Sequence, residues 1–463
     1  MPSGKRGASR MAISPSSLLL AVATVRSGSA ELRIHSLQSG RLLATCPGHD
    51  AMVHDLCWHS FSSSLALASP LLISCGGSRV LVHEVPEDLD MPLTFNPPQL
   101  KVHARVNFSS HVYSVRPHPT LSTDPRCLLL LCAGEFGLSL CQVSREIKAA
   151  GSWTALPPQV QQVQYDGHHK SGHGREASAP DVLCVRFSPQ ANSAENVYVT
   201  DSSGHIMLFQ IRYDASAGVT ASRVRTYAGS DLLGAAIYSL EIVTMQLLQG
   251  KRISSVQLSM ADDWALVFSR DHVIRLVSLQ RGVLKVEQKM VGITCSSYPV
   301  KGVMSPDGAF VVSGSESGEL LFWGKDGKPV LPPKAPQVRL AGPLMDVVWS
   351  DRYHLVACCA MDENALPLLA FVGEDAATPA SPAHQAPEKQ LAHQPPPISQ
   401  ETTLATWLDF AGGIVCFRWA DHWINANENP RSALTLEEKR RMKENILLRI
   451  LDKKGTRLAT GTI

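Results

Sequence analysis

The sequence predicts an all-β fold: a seven-bladed β-propeller over residues 11–375, followed by a Pro-rich linker and a short C-terminal helix. Two observations predict the propeller. A unit of about 45 residues recurs along the chain, and each unit consists of short apolar strands separated by turns that contain Gly or Pro. An array of β-sandwiches would not repeat one unit length in this way, so the propeller is the favoured architecture.

The clearest unit spans residues 302–323. It reads as three strands joined by two turns, and the third strand ends at Trp323. Pro306-Asp307-Gly308 forms the first turn, because Pro presets φ and Gly adopts the positive φ that tight turns require. Gly318 closes the second turn in the same way. A sheet this small buries both of its faces only when neighbouring units stack against it.

Each unit has a Ser or His at the end of an apolar strand, which serves as an anchor for aligning the units. The anchors are Ser14, His59, His118, Ser188, Ser259, Ser305 and Ser350. Successive anchors are separated by 45, 59, 70, 71, 46 and 45 residues. The three longer spacings contain segments of Pro-rich, polar or Gly-rich and Ser-rich composition, near 86–101, 145–178 and 212–235. We interpret these segments as surface insertions between units of constant length.

The N-terminal region offers two interpretations. Lys5 and Arg6 followed by the apolar run 18–23 resemble a signal peptide, but the same run is typical of a buried strand. The strand is favoured because the pattern recurs in the middle of the chain. No apolar stretch approaches the roughly 18 residues of a membrane span, so we expect no transmembrane segment.

The charge and the cysteine content of the sequence exclude several classes of partner and site. The formal net charge of +2 argues against nucleic acid as a partner. The 11 cysteines include no C-x-x-C pair, which argues against a disulfide framework and a structural zinc site. We therefore expect a soluble, intracellular protein in a reducing compartment.

The seventh unit lacks its outer strand in chain order. Its strands are predicted near 345–349, 355–359 and 367–371, and residues 376–400 form a disordered Pro-rich linker. This linker is a spacer or, alternatively, a ligand for an SH3 or WW domain. The β-rich run 413–419, within the segment 401–430, is predicted to close the seventh blade. The alternative is that 401–430 is a docking segment for another protein.

An amphipathic helix is predicted over 434–454. Thr435 and Glu438 form a capping box, and apolar side chains follow at helical spacing. The helix packs on its own propeller or binds a partner, and one apolar stripe does not decide between these roles. The candidate partner-binding residues are Met442, Ile446, Leu447 and Ile450.

Motifs for catalysis are missing, so the sequence predicts a non-enzymatic protein without a cofactor. The segment 314–318 resembles a nucleophile elbow, but its central residue is Glu316, and a turn explains it. His168, His169 and His173 lie in a Gly-rich tract that is more typical of a loop than of a metal site. Cys358 and Cys359 would point to opposite faces of a strand. No catalytic, cofactor-binding or metal-binding residues are therefore assigned.

Several segments resemble WD40 repeats. Pro47-Gly48-His49 precedes the second unit as the Gly-His of that family does, and the turns within 305–318 are similar to those of the family. Trp323 is followed by Gly324 where Asp is usual. The family's His–Asp–Ser/Thr–Trp hydrogen-bond network is therefore not carried over to every unit, whereas the fold is. The resemblance implies a fold that binds other proteins.

Within that family, the order of segments over about 11–375 is similar to that of jouberin-like proteins of the ciliary transition zone. The segments that carry this similarity include 34–41, 53–58, 111–119, 289–292, 343–348 and 355–360. The resemblance implies a scaffold that supports assembly and gating of a cilium or flagellum, located in the cytoskeleton at its base, the transition zone or basal body. Implied partners are transition-zone components and a small Rab-type GTPase.

Two further expectations accompany this resemblance. Jouberin-like chains usually carry an N-terminal coiled coil and often an SH3 domain, which this sequence lacks, so functions that depend on them are not carried over. The alternative function is that of a WD40 substrate receptor of a ubiquitin ligase or of a vesicle-trafficking adaptor.

Overall fold

The computed structural model describes most of the chain from residue 7 onward. The described residues are 7–26, 28–37, 42–61, 69–86, 97–119, 122, 127–147, 153–163, 180–190, 195–215, 236–247, 252–259, 261–279, 284–306, 308–330, 340, 342–350, 355–361, 368–373, 414–418, 446–451 and 457–462. Within these ranges the chain forms strands and turns. The described part of the chain contains no helix long and apolar enough to cross a membrane.

The first three sheets use strands in chain order. The first sheet contains β1 (Gly7–Ile13), β2 (Leu19–Arg26), β3 (Ser29–Ser36) and β4 (Leu42–His49). The second contains β5 (Val53–His59), β6 (Leu71–Gly76), β7 (Arg79–Glu84) and β8 (Val102–Asn107). The third contains β9 (Val112–Pro117), β10 (Cys127–Gly134), β11 (Gly137–Ile147), β12 (Trp153–Ala155) and β13 (Gln159–Gln162).

The next three sheets are also built from strands that are consecutive in the chain. The fourth contains β14 (Val182–Phe187), β15 (Asn196–Asp201), β16 (His205–Ala215) and β17 (Ala236–Leu247). The fifth contains β18 (Ile253–Leu258), β19 (Trp264–Ser269), β20 (Val273–Ser278) and β21 (Lys285–Met290). The sixth contains β22 (Gly302–Met304), β23 (Phe310–Gly314) and β24 (Leu320–Gly324).

These sheets pack face to face around a ring, which makes the fold a β-propeller. Strand β10 shows how the packing works. Leu128 and Leu130 pack into the core shared with the second sheet, whereas Leu129 and Leu131 pack into the core shared with the fourth. Successive side chains of a strand point to opposite faces, so a continuous apolar run fills two cores at once. The prediction that this run is buried on both sides is confirmed.

The predicted count of seven complete blades is wrong. Six blades are built from consecutive strands, and after them only the pair β25 (Leu344–Ser350) and β26 (Leu355–Ala360) continues in order. This pair lies between the sixth sheet and the first, since β25 contacts both β22 and β1. Met345 and Cys359 share a core with Leu20 of the first sheet.

The third strand beside this pair comes from the segment beyond the predicted linker. Strand β28 (Ile414–Arg418) runs antiparallel to β26, with Ala357 opposite Cys416. Residues 376–400 lie outside the described residues. That the segment 401–430 is required to close the propeller stays a prediction.

The remaining described strands form a separate sheet, which includes residues from the predicted seventh unit and from the predicted helix. Strand β27 (Leu368–Gly373) was expected in the seventh blade, but it pairs with β29 (Ile446–Leu451), which pairs in turn with β30 (Arg457–Thr462). Of the predicted helix 434–454, residues 434–445 and 452–454 lie outside the described residues, and β29 occupies the part that is described. A short run of Ile and Leu fits a strand as well as a helix, so its spacing could not distinguish them.

Two of the predicted insertions contain ordered backbone. Gln99, within 86–101, bridges to Thr45 on β4, and the amide of Leu100 donates to the Thr45 carbonyl over 2.7 Å. The segment 145–178 supplies β12 and β13, which pair with β11. Part of the predicted insertion 145–178 thus forms strands beside β11 of the third blade. Residues 216–235 lie outside the described residues.

The apolar run near the N-terminus is a strand, as predicted. It forms β2, whose residues 19–25 are buried between β1 and β3. The ten cysteines whose side chains the structure describes are free, and all of these but Cys57 are buried. Cys358 and Cys359 are both fully buried on β26.

Candidate functional site

The innermost strands of the blades line a central channel. Residues at equivalent positions of successive units meet there: the Ser114 hydroxyl lies 2.7 Å from Asp55 Oδ2, and both residues stand four positions before their anchors. Equivalent positions can meet only if the inner strands run in the same direction around the channel. The residues four positions before the seven anchors are Arg10, Asp55, Ser114, Cys184, Ser255, Lys301 and Asp346.

Among these residues around the channel, Asp55 is the one on which the charged contacts converge. Its side chain is 1% exposed, and three cations from other blades reach it. Arg116 Nη1 lies 2.7 Å from Oδ2, and Arg186 Nη1 lies 3.3 Å from the same oxygen. Lys301 Nζ lies 2.8 Å from Oδ1. One carboxylate thus joins the second, third, fourth and sixth sheets across the channel.

The charge state of Asp55 follows from these contacts. Burial alone would raise its pKa, but Arg116, Lys301 and Arg186 hold the pKa of Asp55 well below its usual range. Burial lowers the pKa of Lys301, and Asp55 opposes that effect. Asp55 is therefore ionised at neutral pH, and we call Arg116, Arg186 and Lys301 the basic ring.

Asp346 occupies the equivalent position on β25 but has different partners. Its Oδ2 accepts the amide of Met11 over 3.0 Å, and its Oδ1 accepts the amide of Val347 over 3.0 Å. Burial raises the pKa of Asp346, although Lys301 and Arg10 act in the opposite direction. The guanidinium of Arg10 donates to backbone carbonyls, including His54 O at 2.7 Å.

A cavity of about 360 Å³ extends from the basic ring toward the end of the channel where the inner strands reach their anchors. We call this end of the channel the anchor end. Its wall includes Asp55, Asp346 and the whole basic ring, together with Trp58 and Trp349, which immediately precede their anchors. The basic side chains keep between 13% and 19% of their surface exposed. They are therefore held by Asp55 and still reach the open space.

A second polar cluster lies at the opposite end of the channel, where the inner strands begin. We call it the rim, and it consists of His54, His111, Tyr113, Glu135 and Arg252. The ring centroids of His54 and Tyr113 are 5.3 Å apart, and Arg252 lies 5.8 Å from the Tyr113 ring centroid. The Tyr113 hydroxyl donates to Glu135 Oε1 over 3.0 Å.

The rim is partly open to solvent. His111 is 58% exposed and contacts Glu135, and Arg252 is 35% exposed and pairs with Asp181 over 3.7 Å. Burial raises the pKa of Tyr113, and the hydrogen bond to Glu135 raises it further. Burial lowers the pKa of His54 to about 3, so that ring is neutral. The rim thus presents an aromatic ring flanked by one cation and one carboxylate.

Other polar groups of the blades serve the turns. His49 Nε2 lies 2.9 Å from Ser74 Oγ, and its Nδ1 lies 3.1 Å from the Gly76 carbonyl oxygen. The indole of Trp323 is 2% exposed and donates to the Val291 carbonyl rather than to a Ser or Thr. Gly318 has a φ of 83° in the turn between β23 and β24, as its predicted role requires.

None of the predicted partner-binding residues is among the described residues that form this site. Met442 lies outside the described residues, and Ile446, Leu447 and Ile450 lie on β29, away from the channel strands in the sheet order. The histidine tract 168–173 is also outside the described residues. Among the residues whose positions are described, no group of three or more His, Cys, Asp or Glu side chains could hold a metal ion.

Sequence reasoning missed the channel charges, although a signal was present. Each lies in or directly before an inner strand, at a constant distance from an anchor: Asp55, Lys301 and Asp346 at four residues, and Arg116 and Arg186 at two residues. A charged residue in a strand that is otherwise buried requires a partner. Aligning the units on their anchors would have placed these partners in one ring.

Comparison with known proteins gives limited similarities. No protein-family model matches the chain. A stretch of 72 residues is 32% identical to the mouse protein Atg16l2, which corresponds to 16% of this chain and 12% of that protein. The chain thus spans a small part of the length of this curated relative. The β-propeller domain of Cps50 (Swd1) from Myceliophteria thermophila aligns with 78% of this chain and 94% of its own, at 15% identity and a TM-score of 0.48.

Proposed function

We propose that the protein is a non-enzymatic scaffold that docks partner proteins on the rim of its propeller. The observation that carries this proposal is the partly exposed cluster of Tyr113, Arg252, His111 and Glu135 at one end of the channel. Tyr and Arg are the residue types that contribute most to binding energy at protein interfaces. A rigid ring of blades holds them in place, so little conformational entropy is lost on docking.

The chemistry of the rim indicates the kind of partner segment that fits. The face of the Tyr113 ring accepts an apolar or cationic side chain, and Arg252 offers donors to a carboxylate or a backbone carbonyl. Phe136, which follows Glu135 in the third blade, stacks at 4.5 Å on Phe108, which follows β8 of the second blade, and the pair extends the surface with apolar area. A peptide with alternating apolar and polar side chains would satisfy this arrangement.

Affinity purification of the full chain from a ciliated cell tests the proposal. The double variant Tyr113→Ala, Arg252→Ala should recover its bound proteins about tenfold less well, as expected for a loss of about 1.4 kcal/mol or more. Lys325→Ala is the matched control, because Lys325 also lies over an aromatic ring, that of Trp264 at 4.5 Å, but at the anchor end. Equal recovery by the rim variant and the control would refute docking on the rim.

We further propose that this scaffold acts at the base of a cilium or flagellum, at the transition zone or basal body. The similarity in segment order to jouberin-like proteins over about 11–375 supports this location and supports transition-zone proteins and a small Rab-type GTPase as partners. The C-terminal segment that includes Met442, Ile446, Leu447 and Ile450 would add a second contact, which raises avidity without a new surface on the propeller.

Imaging of the tagged full chain in a ciliated cell tests the location separately from the docking surface. A focus at the ciliary base is the expected result. A diffuse signal from the tagged chain with an unaltered rim would count against the ciliary location. It would favour the function of a ubiquitin-ligase receptor or of a trafficking adaptor. Proximity labelling from the same tagged chain would then identify the partners.

A further inference from the structure

The basic ring has more donors than its protein partners use. Among the described residues, every hydrogen bond donated by the Arg186 guanidinium starts at Nη1, toward Asp55, Ser114 and the Val185 carbonyl. Lys301 Nζ donates only to Asp55 within the same part of the chain. The remaining N–H groups of Arg186 and Lys301 therefore belong to side chains that line the cavity and lack a protein acceptor there.

The acceptor side of the cluster is already saturated. Asp55 Oδ2 accepts from Ser114, Arg116 and Arg186, and Oδ1 accepts from Lys301 and from the Leu56 amide. One carboxylate cannot supply the free donors with more acceptors. A further anion could.

The charges in the cavity wall are unequal. Three cations of the basic ring face two carboxylates, Asp55 and Asp346. The oxygens of Asp346 already accept the backbone amides of Met11 and Val347. Like charges held close together around a recess attract an ion of opposite sign, and low-dielectric walls strengthen that attraction.

We propose that the channel binds an anion of the phosphate class, held by Arg186, Lys301 and Arg116 from three different blades. A guanidinium and an ammonium that approach from separate strands match the diverging oxygens of a tetrahedral anion. The cavity of about 360 Å³ accommodates a phosphate group and part of the molecule that carries it. The anion is either free phosphate or the phosphoryl group of a phosphorylated side chain, and it lies at the anchor end, remote from the rim.

Calorimetric titration of the full chain tests this assignment. The probes are inorganic phosphate, a phosphoserine peptide, the same peptide with serine, and sodium chloride at matched ionic strength. Arg186→Gln should weaken phosphate binding about tenfold to a hundredfold, as expected for a lost hydrogen bond between charged groups. Arg79→Gln is the control, because Arg79 is 36% exposed and pairs with Asp50 outside the cavity.

A second variant keeps the test decisive if the Arg186 substitution impairs folding. Gln257 stands two residues before its anchor, as Arg116 and Arg186 do, and it lines the cavity without contacting Asp55 among the described residues. Gln257→Glu should weaken binding and Gln257→Arg should strengthen it, while the cluster around Asp55 stays intact.

The outcomes separate the source of the anion from the existence of the site. Binding of inorganic phosphate supports a free ion, and binding of the phosphoserine peptide alone supports a phosphorylated partner. The proposal is overturned if neither probe binds more tightly than chloride, or if Arg186→Gln and Gln257→Glu both bind phosphate as the unaltered chain does. Loss of this site would leave docking on the rim unaffected, because the two surfaces share no residue.

Discussion

Asp55 and Asp346 occupy the same position of the repeat, and the comparison between them explains how the channel is organised. Both follow a shift in strand register near the start of an inner strand, and both are nearly inaccessible, at 1% and 4% exposure. Asp55 is surrounded by three cations, whereas Asp346 accepts two backbone amides. The cations hold the pKa of Asp55 below its usual range, whereas burial raises the pKa of Asp346 although the Met11 amide acts in the opposite direction.

The difference shows that repeat position determines burial, while neighbouring blades determine charge. A carboxylate at the inner position is buried in every blade that has one. Its ionisation depends on which side chains the adjacent inner strands present two and four residues before their anchors. Substitutions at the two aspartates should therefore have unequal effects.

Asp55→Asn should have the largest effect. It leaves three cations close together without their carboxylate, and breaking a buried ion pair in this way costs about 3–5 kcal/mol in the free energy of unfolding. Chemical denaturation monitored by circular dichroism measures the loss. Asp50→Asn is the control, because Asp50 is 62% exposed and should change stability by less than about 1 kcal/mol. A loss below about 1 kcal/mol in Asp55→Asn would show that the cluster does not hold the blades together.

Deleting residues 376–463 should have an intermediate effect, because it removes β28 from the edge of the pair that carries Asp346. Five cross-strand positions are lost, each worth about 0.2–1 kcal/mol, so we expect about 2 kcal/mol lower stability. Deleting 376–400 alone shortens the linker, keeps β28 and serves as the control. Unchanged thermal stability after the long deletion would contradict closure by this segment.

Asp346→Asn should have the smallest effect, about 1 kcal/mol or less, and the opposite pH dependence to Asp55→Asn. The folded pKa of Asp346 lies above the unfolded value of 3.8, so its contribution to stability declines as pH rises from 3.8 through the folded pKa. The free energy of unfolding of Asp346→Asn, relative to that of the unaltered chain, should therefore be higher at pH 7 than near pH 4.

For Asp55 the pH dependence of the contribution to stability has the opposite sign. Its folded pKa lies below 3.8, so its stabilising charge is fully present above that pH and is lost on further acidification. The cost of Asp55→Asn should thus be complete at pH 5 to 7 and should shrink below pH 4. Denaturation curves for both variants across this pH range provide the measurement. If the stability changes of the two variants depended on pH in the same way, the two aspartates could not have opposite pKa shifts.

Much of the fold could be predicted because turn chemistry and periodicity are local. The run 128–131 indicated a strand buried on both faces, and Gly318 indicated a tight turn, since neither feature depends on distant residues. The strand β29 could not be predicted in this way, because its Ile and Leu spacing also fits a helix and only the pairing with β27 distinguishes the two. The ring around Asp55 was equally hidden, because Asp55 and Lys301 lie 246 positions apart in the chain.

Site-specific photo-crosslinking is a direct test of whether partner proteins dock on the rim. A photoreactive phenylalanine analogue would replace Tyr113 in the full chain, and in a parallel sample it would replace Trp264, the aromatic residue at the anchor end that lies under Lys325. Docking on the rim should give covalent adducts with partner proteins from position 113 and few from position 264. Equal adducts from both positions, or adducts from position 264 alone, would contradict it.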